Sequence, residues 1–212
     1  MSDLAGRPTR LAVLVSGTGT NLTALLSAVS SDPDFGAEVV VVGSDRPDAG
    51  GLSRAEEAGI PTVVTALADH PDRPTWEAEL TRRLEEHQPD VVVLAGFMRL
   101  LSGAFLGRWP DRVINTHPSL LPAFRGAHAV REALEYGVKL TGSTVHLVDE
   151  EVDHGPVIAQ RAVEIRDDDT EERLHARIKE VEHELLPTCV KLLSQGRLVV
   201  DGRHVRIREA SK

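Results

Sequence analysis

The chain has 212 residues, 41% of them hydrophobic but only 3% aromatic, which suits one large α/β domain over residues 1–212 with a core of Val, Leu, Ile and Ala. With 33 acidic against 24 basic residues and a formal charge of −9, it repels a phosphate backbone, which argues against nucleic acid as a general partner. A small anionic substrate stays open, because a helix N-terminus or a local cation overrides a modest negative total.

The opening residues, Met1 to Pro8, lack the apolar core of a signal peptide, and no stretch of about 18 apolar residues occurs anywhere, so a soluble chain away from membranes is expected. Residues 11–15 form the first strand-like run. Ser16-Gly17-Thr18-Gly19-Thr20-Asn21 follows it directly and opens a helix near Leu22, so its backbone N–H groups are set to receive a phosphate. A tight turn without ligand is the alternative. The dinucleotide fingerprint needs a third small residue where Leu22 stands, and no Gly-Lys-Ser/Thr follows as a P-loop requires.

Further apolar runs at 39–42, 62–64, 91–94 and 113–115, mostly separated by helix-like segments, give a βαβ rhythm. Unbroken hydrophobicity at 39–42 and 91–94 implies strands covered on both faces, hence a Rossmann-like, mostly parallel twisted sheet with helices on both faces. Two more strands, 143–148 and 156–165, flank the acidic stretch Asp149-Glu150-Glu151-Val152-Asp153 and are expected as antiparallel additions in the C-terminal half. Asp167-Asp168-Asp169-Thr170 supplies N-cap candidates for a helix to about Leu193, with Pro187 as a potential kink. Cys189 is the only cysteine, which excludes an intrachain disulfide and a thiolate metal cage and fits a reducing cytoplasm. Residues 197–200 and 204–207 pair as a hairpin across Asp201-Gly202, a turn that needs positive φ. No internal repeat, low-complexity tract or linker interrupts the chain. Residues of about 10–110 form a phosphate-binding half and about 111–193 a catalytic half.

Asn115 and His117 stand two apart at the end of an apolar run, so an extended strand points both into one space. An amide donates to an oxyanion, an imidazole carries a proton near neutral pH, and a carboxylate such as Asp153 holds an imidazolium in place. Pro118 and Pro122 frame the chain after the strand. Taken alone, His117 also fits a hydrogen-bonded histidine at a strand end, and spacing leaves Asp153 a solvated loop acid. Nine histidines show no metal-ligand spacing, His146 and His154 lying eight apart without an H-E-x-x-H, so metal-independent chemistry is expected. Without a G-x-S-x-G elbow, Ser119 does not make a serine hydrolase.

The segments Ser16-Gly17-Thr18-Gly19-Thr20-Asn21-Leu22, Leu94-Ala95-Gly96-Phe97-Met98-Arg99, Asn115-Thr116-His117-Pro118-Ser119-Leu120-Leu121-Pro122 and Asp153-His154-Gly155-Pro156-Val157-Ile158 resemble, in this order, the folate-dependent glycinamide ribonucleotide formyltransferases of purine biosynthesis. The resemblance runs from about Arg10 to Leu193. It implies formyl transfer from 10-formyltetrahydrofolate, as co-substrate, to the amine of glycinamide ribonucleotide. It also implies a catalytic set of Asn115, His117 and Asp153, with protonated His117 and the Asn115 amide on the oxyanion and Asp153 keeping His117 charged. By the same resemblance, Gly19, Thr20, Asn21 and Lys179 meet the ribonucleotide phosphate, and Glu182 meets the ribose. Asn115, Met98, Arg99, Leu100 and Leu101 line the folate pocket with Asp149, Glu150, Glu151, Val152 and Asp153, and Arg73 contacts the folate through a tail carboxylate. On their own, Lys179 and Glu182 read as an exposed helical ion pair. His154 departs from relatives with Gly beside the catalytic Asp.

The His-Pro-Ser-Leu-Leu-Pro block is shared with formyltetrahydrofolate deformylases and methionyl-tRNA formyltransferases. The first usually carry an extra N-terminal domain and the second a C-terminal nucleic-acid-binding domain, and this chain is expected to have neither. A non-catalytic nucleotide-binding module is the rival from another class. The expected partners are small-molecule substrates, with no nucleic acid and no membrane, for a cytoplasmic monomer or homodimer.

Overall fold

The computed structural model of the chain describes residues 7–209. Of the N-terminal stretch read above, Met1 to Gly6 lie outside them. Strands β1 (Thr9–Val15), β2 (Ala37–Ser44), β3 (Thr62–Val64), β4 (Val91–Leu94) and β5 (Val113–His117) run parallel, and β6 (Leu140–Leu147) and β7 (Val157–Glu164) continue the sheet antiparallel. A hairpin of β8 (Leu198–Asp201) and β9 (His204–Ile207) joins its edge, giving the order β3-β2-β1-β4-β5-β6-β7-β9-β8.

β1 is apolar at successive positions because both its faces are covered. Leu11, Val13 and Val15 enter one core with Leu22 and Leu25 of α1 (Thr20–Ser31) and Leu186 and Val190 of α6 (Glu171–Ser194). Ala12 and Leu14 enter the opposite core with Trp76, Leu80 and Leu84 of α3 (Arg73–Glu85). The two-residue period of the strand sorts its side chains between these layers. Burying each Leu or Val contributes up to about 1.5–3 kcal/mol.

Of the four cap candidates before α6, Thr170 takes the position, its Oγ1 accepting from Arg173 N at 3.3 Å, with Glu171 and Glu172 in the first turn. Asp169 turns instead to Arg177. Pro187 lies buried inside α6, and the helix continues past it to Ser194. Asp201 pairs with His204, so the hairpin turn is Gly202-Arg203, one position later than expected, with Gly202 at φ 57°. β5 reaches His117, two residues beyond the apolar run, because Asn115, Thr116 and His117 pair with His146, Val145 and Thr144 of β6.

β1 has β2 on one side and β4 on the other, so the crossovers from it diverge and leave a crevice at the carboxyl ends of β1 and β4. Both pockets described next open there.

Candidate active site

The smaller pocket, of about 170 Å³, is lined by Gly17 through Asn21, by Thr116 of β5 and Pro118 just after it, and by His175, Lys179 and Glu182 on one face of α6. Gly19 is the N-cap of α1 at φ 76°, and no side chain caps that helix end. A Cβ at Gly19 would come 2.5 Å from Gly51 Cα, so the turn needs glycine for both space and backbone angle. Arg54 Nε donates to Thr18 O at 2.7 Å and holds the loop from outside. The uncapped first turn of α1 and Lys179 thus face one pocket, an arrangement whose chemistry suits an anion.

Glu182 is 4% exposed. Its Oε2 accepts from Asn21 Nδ2 at 3.0 Å, and its Oε1 from Thr116 Oγ1 at 3.4 Å. Burial raises its pKa above the ordinary value, against the pull of Asn21, Thr116 and Lys179. It is therefore not the exposed ion-pair partner that helical spacing alone suggests. His175 was not singled out by sequence, although it lies one turn before Lys179 on the same face. Burial and then Lys179 lower its pKa.

The larger pocket, of about 370 Å³, draws on residues from Leu94 through Leu101, on Asn115 to Pro118, and on the loop from Val148 to Asp153. Met98, Arg99, Leu100 and Leu101 line it, as do Asp149, Glu150, Glu151 and Val152. Met98 is 70% and Leu100 56% exposed, an apolar rim of the kind that a bound ligand covers. Arg73 does not line this pocket. It opens α3 beside a neighbouring cleft, and its guanidinium donates to the Leu100 carbonyl, supporting the rim from behind.

Asn115, His117 and Asp153 come together, as the strand argument expects for the first two and as spacing alone could not settle for the third. His117 Nδ1 lies 3.3 Å from Asp153 Oδ2, and Asn115 Nδ2 lies 3.5 Å from Asp153 Oδ1. His117 Nε2 faces the Phe124 carbonyl at 2.8 Å, so this nitrogen carries a proton, and Nδ1 is left toward the carboxylate. Both partners of the imidazole have left-handed backbone, Phe124 at φ 51° and Asp153 at φ 47°. Such conformations cost on the order of 1–3 kcal/mol and gather at functional sites. Gly155 fixes the loop, since a Cβ there would meet Leu147 O at 1.9 Å.

Burial lowers the His117 pKa, and the opposing effects of Asp153 and the Phe124 carbonyl do not restore it. Burial pushes the Asp153 carboxyl up, but His146, His117 and the Gly126 N–H together hold it below the ordinary carboxylate value. Imidazole and carboxylate therefore stand as a coupled pair, with Asp153 Oδ2 placed to accept from Nδ1.

His146 is a further member that sequence reading set aside. It is 1% exposed and sits opposite Asn115 across the β5–β6 ladder. Its Nδ1 faces Leu147 O at 2.8 Å, and its Nε2 lies 3.2 Å from Asn115 Nδ2 and 3.8 Å from Asp153 Oδ1. The Asn115 amide has its NH₂ toward the same carboxylate. Thr144 and Gln160 brace the following loop: Thr144 Oγ1 donates to Ser119 O at 2.7 Å, and Gln160 Nε2 donates to Leu121 O at 2.9 Å. The Leu121–Pro122 peptide is cis. His154 turns away from the trio, its Nδ1 2.7 Å from Asp149 Oδ2, and Arg203 of the hairpin turn donates to its carbonyl at 2.6 Å.

The chain is similar to known proteins over most of its length. The formyl transferase family model matches residues 9–190. The chain is 50% identical over 196 residues to a phosphoribosylglycinamide formyltransferase of Mycobacterium tuberculosis, covering 92% of this chain and 90% of that protein. A crystal structure of glycinamide ribonucleotide transformylase 1 from Symbiobacterium toebii superimposes with a TM-score of 0.93 at 46% identity, covering 96% of each chain. A formyltetrahydrofolate deformylase from Pseudomonas syringae shares the fold at 30% identity and a TM-score of 0.89, over 98% of this chain and 68% of that one. The chain belongs to the formyl transferase family.

Proposed function

We propose that this formyl transferase moves the formyl group of 10-formyltetrahydrofolate to the amine of glycinamide ribonucleotide, giving formylglycinamide ribonucleotide and tetrahydrofolate in de novo purine biosynthesis. The ribonucleotide phosphate docks on the α1 N-terminus and Lys179, with Glu182 on the ribose, and the folate fills the larger pocket. The observation that carries this reading is the junction of the two cavities: Gly96, Met98, Thr116 and Pro118 line both, and the trio stands beside that shared wall.

Attack by the amine forms a new C–N bond and makes the formyl oxygen an oxyanion. Asn115 Nδ2 supplies a hydrogen bond to it, and His117 supplies a positive charge. Negative charge growing beside the imidazole, with Asp153 at its Nδ1, favours its protonated form as the attacking amine becomes acidic. Asp153 and His117 pass the amine's proton to the folate nitrogen as its bond to the formyl carbon breaks. Each proton lost by one nitrogen is gained by the other. The enzyme works on small molecules in the cytoplasm as one catalytic unit, monomer or homodimer.

Hydrolysis of the same donor would use the trio but have no need of the smaller pocket. Incubation with 10-formyltetrahydrofolate, with and without glycinamide ribonucleotide, separates the two. Tetrahydrofolate release that depends on the amine is expected, and equal release without it would overturn the proposal.

A further inference from the structure

Asp45 follows β2 and is 4% exposed, yet it touches neither pocket. Both its oxygens are engaged. Oδ1 accepts from Ser16 Oγ at 2.6 Å, and Oδ2 accepts from Arg99 Nε at 2.7 Å. Ser16, 6% exposed just after β1, accepts from Met98 N at 2.9 Å through the same Oγ and donates its own N–H to Gly96 O at 3.0 Å. One carboxylate therefore ties the end of β1, where the anion loop begins, to residues 96–99 after β4.

Those residues are the partition between the cavities, since Gly96 and Met98 line both and Arg99 lines the larger. Holding Arg99 by Nε leaves its terminal Nη groups without a hydrogen-bond partner among the described residues. Gly96 takes its turn at φ 79°, and a Cβ there would meet nothing within 4 Å, so no side-chain packing at that position braces the partition. A buried, charge-assisted bridge to a surface-reaching arginine has an anchoring geometry, one end fixed and the other presented.

We propose that Asp45 is a positioning residue that, through Ser16 and Arg99, fixes the wall shared by the two pockets and thereby couples occupancy of one to affinity in the other. The inference rests on the reading of the pockets as ribonucleotide and folate sites. Filling the anion loop stiffens Ser16, and the bridge carries that order to Met98 and Arg99, so the second ligand meets a wall already set. Linkage makes the effect reciprocal.

Calorimetric titration with the product tetrahydrofolate, alone and at saturating glycinamide ribonucleotide, reads the coupling without turnover. In the unaltered enzyme the ribonucleotide is expected to tighten tetrahydrofolate on the order of fivefold or more. Asp45→Asn keeps the side-chain shape but turns an amide NH₂ toward either Ser16 or Arg99. It is expected to weaken tetrahydrofolate about tenfold, bring the coupling factor toward one, and leave ribonucleotide affinity measured alone within about twofold. Ser16→Ala removes the tie to Met98 while keeping the ion pair, and serves if the Asp45 variant does not fold. It is expected to lower the coupling factor with a smaller loss of tetrahydrofolate affinity. A purely structural role would weaken both ligands together, and that result would overturn the proposal. So would an unaltered coupling factor in the folded variants, or no coupling in the unaltered enzyme. Should the unaltered enzyme bind neither ligand, the assignment of the pockets itself fails, an outcome distinct from intact binding with unchanged coupling.

Discussion

The smaller pocket is made mostly of backbone, a glycine turn and the uncapped end of α1, with one cation and one buried acid facing it from α6. The larger is made of side chains brought by β5, by the β6–β7 loop and by the segment after β4, and its polar groups lie in strained or sheet-fixed positions. The contrast separates two kinds of work. N–H groups at a helix end bind whatever anion arrives and change little during reaction. An amide, and an imidazole and carboxylate whose pKa values are both displaced downward, are poised for charge that exists only while the bond is being made. Perturbing each pocket should accordingly leave different kinetic signatures.

The largest effect is expected at the carboxylate. Asp153→Ala leaves His117 Nδ1 without its partner and should lower kcat by about 10²- to 10⁴-fold, with ribonucleotide affinity by calorimetry changed little. Equal loss of affinity and kcat would mean that the loop, rather than the charge, is what the residue supplies. Next comes the binding pocket. Lys179→Ala removes the cation at the anion site and should raise the KM for glycinamide ribonucleotide roughly 10- to 100-fold, with the dissociation constant of tetrahydrofolate unchanged in the absence of ribonucleotide.

The smallest effect concerns stability. Burial raises the pKa of Glu182 in the folded state, so the unfolded state gives up this proton more readily. Above the unfolded value, near 4.5, ionising Glu182 therefore costs stability, and the cost grows as pH rises toward the folded value. Glu182→Gln should accordingly melt higher at pH 7–8, by about 2–4 °C for each kcal/mol of relieved cost, with the gain fading as pH falls toward 4.5. Calorimetric melts at both pH values check this, and the same variant should bind ribonucleotide less well. A lower melting temperature at pH 7 would show that the bonds to Asn21 and Thr116 outweigh the burial of charge.

Legibility in the sequence follows the same divide. The parallel strands were readable because covering both faces demands unbroken apolar runs, and the anion loop because its residues are contiguous with the turn they form. Boundaries slipped where pairing, rather than composition, sets the end: Leu140 to Gly142 join β6 only because β7 lies beside them. Asn115 and His117 were predictable as neighbours from strand period alone. Asp153 needed the fold, because an acid in an acidic loop looks solvated until the loop bends back. His146 was invisible for a related reason: only the antiparallel register sets it against Asn115. His175 did carry a signal, a four-residue step before Lys179. Arg73 opens α3 and donates to the Leu100 carbonyl beside the larger pocket, a placement that strand and helix patterns alone do not give.

The central claim is that Asn115 and His117 act on the oxyanion and not on the bound substrates. Single-turnover rates of Asn115→Ala and His117→Ala, taken beside the dissociation constants of both ligands, test it most directly. The account predicts rates lower by about 10²- to 10³-fold with dissociation constants within a few-fold of the unaltered enzyme. Folded variants that turn over at near the unaltered rate, or that lose binding in proportion to rate, would contradict it.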